Sequence, residues 1–259
     1  MQNRLVELFY YSHMHKLKIY YPFVGFCVNG ERFFVMGAKS PSKQYIPAVV
    51  FVDRDNTKKL IFDLDMYSIA GFAVTSDFIL ILSYNLRVYK YDLDGKRISK
   101  RKLGFETKDI WAHDNHLFIA NEHNVSVLTL RLERLDALVV PANVIDLAFL
   151  RETIYVLTQD RVYIGSMKGG IVSSFPIPVR KSHYADRILS TNIEVSPSGE
   201  ILIIYHDSDL TELWLYEEGG KEIRFAFMED STIVRYIGEE LWALKLCKST
   251  LKCLNSWWK

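Results

Sequence analysis

Three acidic side chains recur along the chain at similar intervals. Asp109 is followed by Asp146 after 37 residues and by Glu194 after a further 48. Carboxylate oxygens are the ligands that Ca²⁺ and Mg²⁺ prefer, so three of them gathered at one place could hold such a cation. Without a metal they would repel one another and raise the pKa of at least one carboxyl group, which is a common property of functional sites.

Two histidines could transfer protons beside such a centre. His183 lies in a long polar segment, and His206 precedes a pair of aspartates, Asp207 and Asp209. The alternative interpretation is structural, because polar side chains at strand ends often bond only to loop amides and water, and we favour it. The chain contains no G-x-S-x-G elbow, no phosphate-binding glycine loop and no H-E-x-x-H helix.

An internal repeat supplies the elements that must position these side chains. Each copy is an apolar strand, a short polar turn and a second apolar strand. The copies are residues 25–37, 71–83, 109–121, 146–158, 194–206 and 235–245. The first apolar residue after each turn marks the repeat at Phe33, Ile79, Leu117, Ile154, Leu202 and Leu241, with spacings of 46, 38, 37, 48 and 39 residues.

Each copy continues into a second hairpin. The clearest are residues 86–103, 161–177 and 211–227, whose turns contain Gly95, the pair Gly169 and Gly170, and the pair Gly219 and Gly220. Such glycines favour tight hairpin turns because these turns need positive φ. Four strands in about 42 residues are typical of a propeller blade. The chain thus resembles the β-propeller class, with a pattern similar to that of NHL-like, quinoprotein-like and WD-repeat propellers.

The resemblance covers nearly the whole chain and implies an all-β fold. The repeat predicts a six-bladed β-propeller of four-stranded antiparallel blades, with residues 1–259 as a single domain. The last copy has a third strand at 250–258 and no fourth. We expect residues 16–21 to supply the missing outer strand, so that pairing of the N- and C-terminal strands closes the ring. Residues 5–11 are a surplus strand, which could instead take the place of the third strand or add at an edge.

Composition narrows the class of protein. With 49% hydrophobic residues, 14% aromatic residues and a net charge of +1, the chain is a folded globular protein rather than a disordered or nucleic-acid-binding one. No apolar run reaches membrane-spanning length, and Met1 to Lys18 do not read as a secretory signal. Three cysteines without C-x-x-C spacing favour a reducing, cytoplasmic setting. The presence of only three glutamines indicates a thermophilic source.

The basic stretch 96–102 has two interpretations. Lys96, Arg97, Lys100, Arg101 and Lys102 could form a surface for an anion or a nucleic acid. The stretch also falls in the outermost strand of a predicted blade, where charge prevents edge-to-edge pairing with another molecule. We favour this protection of the edge.

Two insertions depart from the repeat and predict a binding face. Residues 39–46 lie between a second and a third strand, and residues 179–190 lie between a fourth strand and the next blade. In a four-stranded blade both connections emerge on the same face, where insertions of repeat proteins collect. Exposed aromatic and basic residues there are typical of interfaces. The predicted partner-binding residues are Lys39, Tyr45, Tyr67, Phe105, Arg180, Lys181, His183, Tyr184 and Arg187.

Two functions follow from these features. The first is a non-enzymatic propeller that binds a protein or peptide partner, without a cofactor, as a scaffold or complex subunit. The second, implied by similarity to six-bladed propeller enzymes, is a hydrolase or lactonase with calcium or magnesium held by Asp109, Asp146 and Glu194. The chain departs from those enzymes because Gly25 replaces an acidic residue and no asparagine occupies the equivalent positions. We therefore favour the first function.

Overall fold

The structure is a computed structural model whose regular elements are all β-strands. It describes residues 11–16, 20–29, 32–38, 47–52, 57–61, 69–104, 107, 109–181, 189–207, 210–229, 232–237, 240–245 and 250–254. Nothing in these segments forms a helix of the length and apolarity that a membrane span needs.

The strands form four-stranded antiparallel sheets in which neighbours along the chain pair with each other. Contacts divide the chain into two compact units, of which one comprises Leu17–Asn121 and Val125–Ala137. This unit contains a sheet of β2 (Tyr20–Asn29), β3 (Arg32–Ala38), β4 (Pro47–Val52) and β5 (Thr57–Ile61). It also contains a sheet of β6 (Ile69–Val74), β7 (Phe78–Ser83), β8 (Arg87–Asp92) and β9 (Arg97–Lys102). Most of a third sheet belongs to it, formed by β10 (Asp109–His113), β11 (His116–Ala120), β12 (Asn124–Thr129) and β13 (Arg134–Val139).

The other compact unit comprises Met1–Lys16, Glu122–Asn124 and Leu138–Lys259. One of its sheets contains β14 (Asp146–Leu150), β15 (Thr153–Leu157), β16 (Arg161–Ser166) and β17 (Gly170–Pro176). Another contains β18 (Ser190–Val195), β19 (Ile201–His206), β20 (Leu210–Tyr216) and β21 (Glu222–Glu229). A further sheet joins β1 (Tyr11–Lys16) to β24 (Thr250–Leu254), β23 (Glu240–Lys245) and β22 (Thr232–Ile237).

The central strand β19 is apolar on both sides because a neighbouring sheet covers each face of its own sheet. In β19, Ile203 and Tyr205 pack into a core shared with the sheet β14–β17, whereas Leu202 and Ile204 pack with the sheet that contains β22. Successive side chains of a strand point to opposite faces, so an uninterrupted apolar run fits this position. The hairpins and second hairpins that the repeat predicts are confirmed.

The strand that pairs with the C-terminal strand differs from the predicted one. Residues 16–21 were expected to take this place, but β1 pairs with β24 from Tyr11 opposite Leu254 to Lys16 opposite Thr250. The reason is that Tyr20 already pairs with Ala38 as part of β2, the inner strand of its own sheet. Residues 5–11 fall outside the described residues, apart from Tyr11.

Candidate functional site

Each sheet has two ends that differ in the loops they carry. Antiparallel neighbours alternate in direction, so the start of the innermost strand and the loop between the second and third strands lie at the same end. We call this the insertion end of a sheet. The 179–190 insertion lies there, because it connects β17 to β18, and residues 39–46 connect β3 to β4 outside the described residues.

The 179–190 insertion is fixed at both of its ends. The backbone N–H of Leu189 donates a hydrogen bond to the carbonyl of Arg180 at 3.1 Å, which closes the base of the loop. Just before the insertion, the carbonyl of Pro178 accepts a hydrogen bond of 2.6 Å from the buried Tyr205 hydroxyl in β19. The connection is therefore closed at its base and attached to the sheet that follows it.

Arg180 strengthens this attachment. Its guanidinium carbon lies 4.4 Å from the centroid of the Trp214 ring, a cation-π contact. Its Nε atom lies 3.7 Å from Oε2 of the buried Glu212, which also accepts a 3.0 Å hydrogen bond from Nε1 of Trp214. The partner contact of Arg180 stays a prediction of the sequence. In the structure its side chain contacts Trp214 and Glu212 of β20, which holds the base of the insertion.

Asp146 occupies the first position of β14 and links two inner strands. Its Oδ1 atom accepts a 2.8 Å hydrogen bond from the N–H of Leu147. Its Oδ2 atom accepts 3.0 Å hydrogen bonds from the N–H of Ile193 and from the side-chain amide of Asn192, both in β18. The Oδ1 atom of Asn192 in turn lies 2.9 Å from Nε2 of His206. Both oxygens of the buried Asp146 carboxylate are thus engaged.

Asp109 occupies the first position of β10 in a similar way. Its Oδ1 atom accepts a 2.7 Å hydrogen bond from the N–H of Ile110. The same oxygen would lie 1.8 Å from a Cβ atom at Gly71 in β6, so the carboxylate lies where that glycine has no side chain. The glycine at the equivalent position of the preceding sheet therefore makes room for the aspartate.

Glu194 is not at the same level as the two aspartates, and this part of the prediction is wrong. Asp109 and Asp146 pair with Ala120 and Leu157, the last residues of their second strands. Glu194 instead pairs with Leu202, close to the opposite end of its sheet. The turn after β18 spans Ser196 to Glu200, three residues longer than the two-residue turns after β10 and β14. This shifts Glu194 by about 10 Å along the strand at 3.3 Å per residue.

The carboxylates therefore have observed structural partners. Oε2 of Glu194 accepts a 3.3 Å hydrogen bond from the N–H of Tyr236 in the next inner strand. Among the residues that the structure describes, no three His, Cys, Asp or Glu side chains are grouped as metal ligands. The calcium or magnesium site remains a prediction of the sequence, and the geometry of its three carboxylates does not favour it.

The other predicted partner-binding residues have different outcomes. Lys181 is exposed directly after Arg180. The remaining ones lie outside the described residues and stay predictions: Lys39, Tyr45, Tyr67, Phe105, His183, Tyr184 and Arg187.

Exposed apolar side chains mark the insertion ends, and sequence reasoning missed them. Within the described part of the chain, the large exposed hydrophobic residues outside the outer strands are Tyr84, Ile145 and Val179, with 70%, 40% and 44% of their surface accessible. Each lies at the insertion end of its own sheet, in a second-to-third-strand loop or in a connection to the next inner strand. In the sequence these residues are apolar and lie next to strand ends. Apolar residues of the strand core look the same, so the sequence alone does not separate the two.

Two buried tyrosines of the sheet β18–β21 differ in their hydroxyl contacts. Burial raises the pKa of Tyr205, and it raises the pKa of Tyr216 to about 12 with a further contribution from Glu222. The Tyr205 hydroxyl donates to Pro178, whereas the Tyr216 hydroxyl is buried without a hydrogen-bond partner. The two side chains therefore offer a matched comparison.

We expect Tyr205→Phe to lower the free energy of unfolding by about 1 kcal/mol, the usual net value of a hydrogen bond. Tyr216→Phe should change it by less than about 0.5 kcal/mol at pH 8, because no hydrogen bond is lost.

The raised pKa of Tyr216 predicts that stability depends on pH. Above the pKa of an unfolded tyrosine the unfolded state loses its proton first, so Tyr216 costs the wild type stability as the pH rises from about 10 to about 12. Urea unfolding at pH 8 and pH 11 tests this. If the free energy of unfolding fell by the same amount between these pH values in the wild type and in Tyr216→Phe, the prediction would be contradicted.

Comparison with known proteins supports the fold. No protein-family model matches the chain, and no curated protein sequence matches it. Among solved structures, Hsv2 from Kluyvelomyces marxianus is 10% identical with a TM-score of 0.55, covering 86% of this chain and 89% of that one. KlHsv2 with loop 6CD replaced by a Gly-Ser linker is 12% identical with a TM-score of 0.53, covering 86% of this chain and 74% of that one.

A bacterial structure shows a similar likeness. BamB from Moraxella catarrhalis is 13% identical with a TM-score of 0.53, covering 89% of this chain and 82% of that one. These identities are low, so the likeness concerns the fold alone. Together with the repeated four-stranded antiparallel sheets, it shows that this chain has a β-propeller fold.

Proposed function

We propose that this chain is a non-enzymatic, six-bladed β-propeller that binds a protein or peptide partner in the cytoplasm, as a scaffold or complex subunit. The proposed binding face carries the 179–190 insertion. We assign residues 39–46 to the same face from the order of the strands, because they connect a second strand to a third. The six repeat copies support the blade count, and the pairing of β1 with β24 supports a single domain closed by its terminal strands.

The exposure of Tyr84, Ile145 and Val179 is the observation that carries this proposal. Outside the outer strands, the described residues expose large apolar side chains at insertion ends and in no loop at the opposite ends. Apolar and aromatic side chains at a surface mark interaction sites when they collect in one kind of position. A partner that covers such side chains would remove their apolar surface from water, which favours association.

The attachment of the insertion supports the same face. Binding residues often lie on loops that a rigid scaffold positions. The contacts of Arg180, Leu189 and Tyr205 fix the base of the 179–190 connection. The interior of this connection contains Tyr184 and Arg187, residue types that contribute much of the binding energy in interfaces.

The contacts of Asp146 favour this function over the hydrolase. Hydrogen bonds from the chain compete with a cation or a substrate proton for the lone pairs of a carboxylate. Both oxygens of Asp146 accept hydrogen bonds from the chain. Glu194 lies at the other end of its strand.

The proposal is tested by the double substitution Tyr184→Ala/Arg187→Ala. Tagged wild type and variant are cross-linked in the native host, and the captured proteins are compared by quantitative mass spectrometry. We expect the specific partner to be reduced at least about tenfold in the variant, the loss that roughly 1.4 kcal/mol produces. The melting temperature should stay within about 2 °C of the wild type, as is usual for surface substitutions.

A matched control comes from the opposite ends of the same two sheets. Lys168 and Lys221 are exposed in the turns before β17 and β21. The double variant Lys168→Ala/Lys221→Ala should retain the partner. The proposed face would be wrong if Tyr184→Ala/Arg187→Ala also retained the partner. It would also be wrong if the control variant alone lost the partner.

A further inference from the structure

The outer strand β9 is an open edge of its sheet. Its six residues, Arg97–Lys102, are all exposed. It pairs with β8 on one side and with no other described strand. The outer edge of such a strand presents backbone N–H and C=O groups that can pair with an added strand.

This edge is also the most basic segment of the chain. Residues 96–102 contain five basic side chains and no acidic one. The whole hairpin 86–103 contains seven basic and two acidic residues, a net charge of +5 in a chain whose total is +1. The positive charge is therefore concentrated on this one edge.

The cationic side chains lie over the faces of the sheet. The Arg101 guanidinium donates a 2.9 Å hydrogen bond to the carbonyl of Arg131, in the turn between β12 and β13. On the opposite face, Nζ of Lys100 lies 5.1 Å from the centroid of the Tyr89 ring, its cross-strand partner in β8. Positive charge thus flanks the backbone edge of β9 on both sides of the sheet.

Protection against edge-to-edge pairing does not by itself explain this pattern. The outer strand β17 (Gly170–Pro176) has the same position in its own sheet and carries no charged residue. The outer strand β13 carries one basic and one acidic residue, Arg134 and Asp136. If every outer strand required strong charge, these strands would carry it as well. The outer strand β5 carries two lysines, Lys58 and Lys59, whereas β9 carries four basic residues, more than any other outer strand that the structure describes.

We propose that β9 binds an extended acidic segment of a partner protein, which adds to the sheet as a fifth strand. Strand addition obtains affinity from main-chain hydrogen bonds and specificity from the side chains on either side. Opposite charges on neighbouring strands are favourable, and like charges are unfavourable. The same lysines and arginines that exclude a second copy of β9 therefore select an acidic strand. This surface is separate from the insertion ends and does not depend on the function proposed for them.

A peptide fits the observations better than a nucleic acid. General nucleic-acid binding rests on many phosphate contacts across a basic surface. Here the net charge of the chain is only +1, and the basic side chains follow a single strand. An open edge alternates N–H donors with C=O acceptors. Another backbone matches both kinds of group, whereas a phosphate chain offers acceptors alone and leaves the C=O groups unmatched.

The test uses the full chain and a fluorescein-labelled octapeptide of alternating glutamate and threonine, measured by fluorescence anisotropy. A second peptide has the same side chains but N-methyl groups on alternate backbone amides, which prevents strand pairing and keeps the charge. We expect the methylated peptide to bind at least about tenfold more weakly, because it loses main-chain hydrogen bonds. The protein variant Lys100→Glu/Lys102→Glu should weaken the unmodified peptide by at least about tenfold.

The control variant Lys168→Glu/Lys221→Glu changes the net charge by the same amount at exposed turns elsewhere. It should bind the peptide within about twofold of the wild type, since the two side chains do not belong to the sheet of β9 and salt screens exposed charges. Equal binding of the two peptides, or equal loss in the two protein variants, would overturn strand addition at β9. Tighter binding of a single-stranded oligonucleotide or of anionic lipid vesicles than of the peptide would also overturn it.

Discussion

Replacing Gly220 by alanine should lower the free energy of unfolding by about 3 kcal/mol, a large part of the roughly 5–15 kcal/mol of a typical domain. Gly220 ends the turn between β20 and β21 with a φ of 79°, a conformation that L residues rarely adopt. A Cβ atom there would lie 2.4 Å from Cβ and 2.5 Å from Cγ of the buried Phe175 in β17. These atoms are next to the backbone, so the two sheets would have to separate locally.

Substitutions at two other turn glycines separate the steric effect of a new side chain from the backbone strain. Gly170 has a φ of 70° with open space around its Cβ position, so Gly170→Ala should cost only the strain, about 1 kcal/mol. Gly219 has neither the positive φ nor a close neighbour, and Gly219→Ala should stay within about 0.5 kcal/mol. Urea unfolding of the three variants gives the comparison. Equal losses for Gly220→Ala and Gly170→Ala would contradict the close approach of the two sheets.

The second large effect is expected at Asp146. Asp146→Ala should lower the free energy of unfolding by about 3 kcal/mol, because it leaves the buried N–H groups of Leu147 and Ile193 and the half-buried amide of Asn192 without this acceptor. The substitution removes one hydrogen bond within β14 and two hydrogen bonds to β18, so it weakens the junction between two sheets. Thermal and urea unfolding measure it.

Asp136 provides a matched control for this substitution. Its Oδ1 atom accepts a 2.7 Å hydrogen bond from the N–H of Ala137, the same local contact, but it is exposed on the outer strand β13. Asp136→Ala should cost less than about 0.5 kcal/mol. We expect EDTA to leave the stability of the wild type and of Asp146→Ala unchanged. A destabilisation of the wild type alone by EDTA would assign Asp146 to a metal site instead.

The repeat made the strands and their order predictable from the sequence. Alternating and apolar runs around glycine turns define hairpins through local chemistry, so β8 with β9 and β16 with β17 appear where expected. The position of Glu194 was not predictable from residue spacing. A five-residue turn closed by Gly199, with a φ of 94°, consumes residues that the spacing assigned to the strand.

The roles of individual site residues were harder to predict because they depend on contacts between sheets. Arg180 looked like a surface residue of an insertion, but its Trp214 and Glu212 partners come from a strand more than 30 residues later. The exposure of Ile145 and Val179 also depends on which neighbour covers each strand end. A single sequence contains no direct signal for such distant contacts.

The pairing of β1 with β24 has a consequence for the order in which the protein can be assembled during translation. Lys16 has left the peptidyl-transfer centre roughly 230 residues before its partner Thr250 is made. At about 5–20 residues per second, the first strand waits some 12–46 s without its neighbour. During this time its polar residues, Ser12, His13, His15 and Lys16, reduce its tendency to aggregate. The apolar strands between them can meanwhile fold sheet by sheet as the ribosome delivers them.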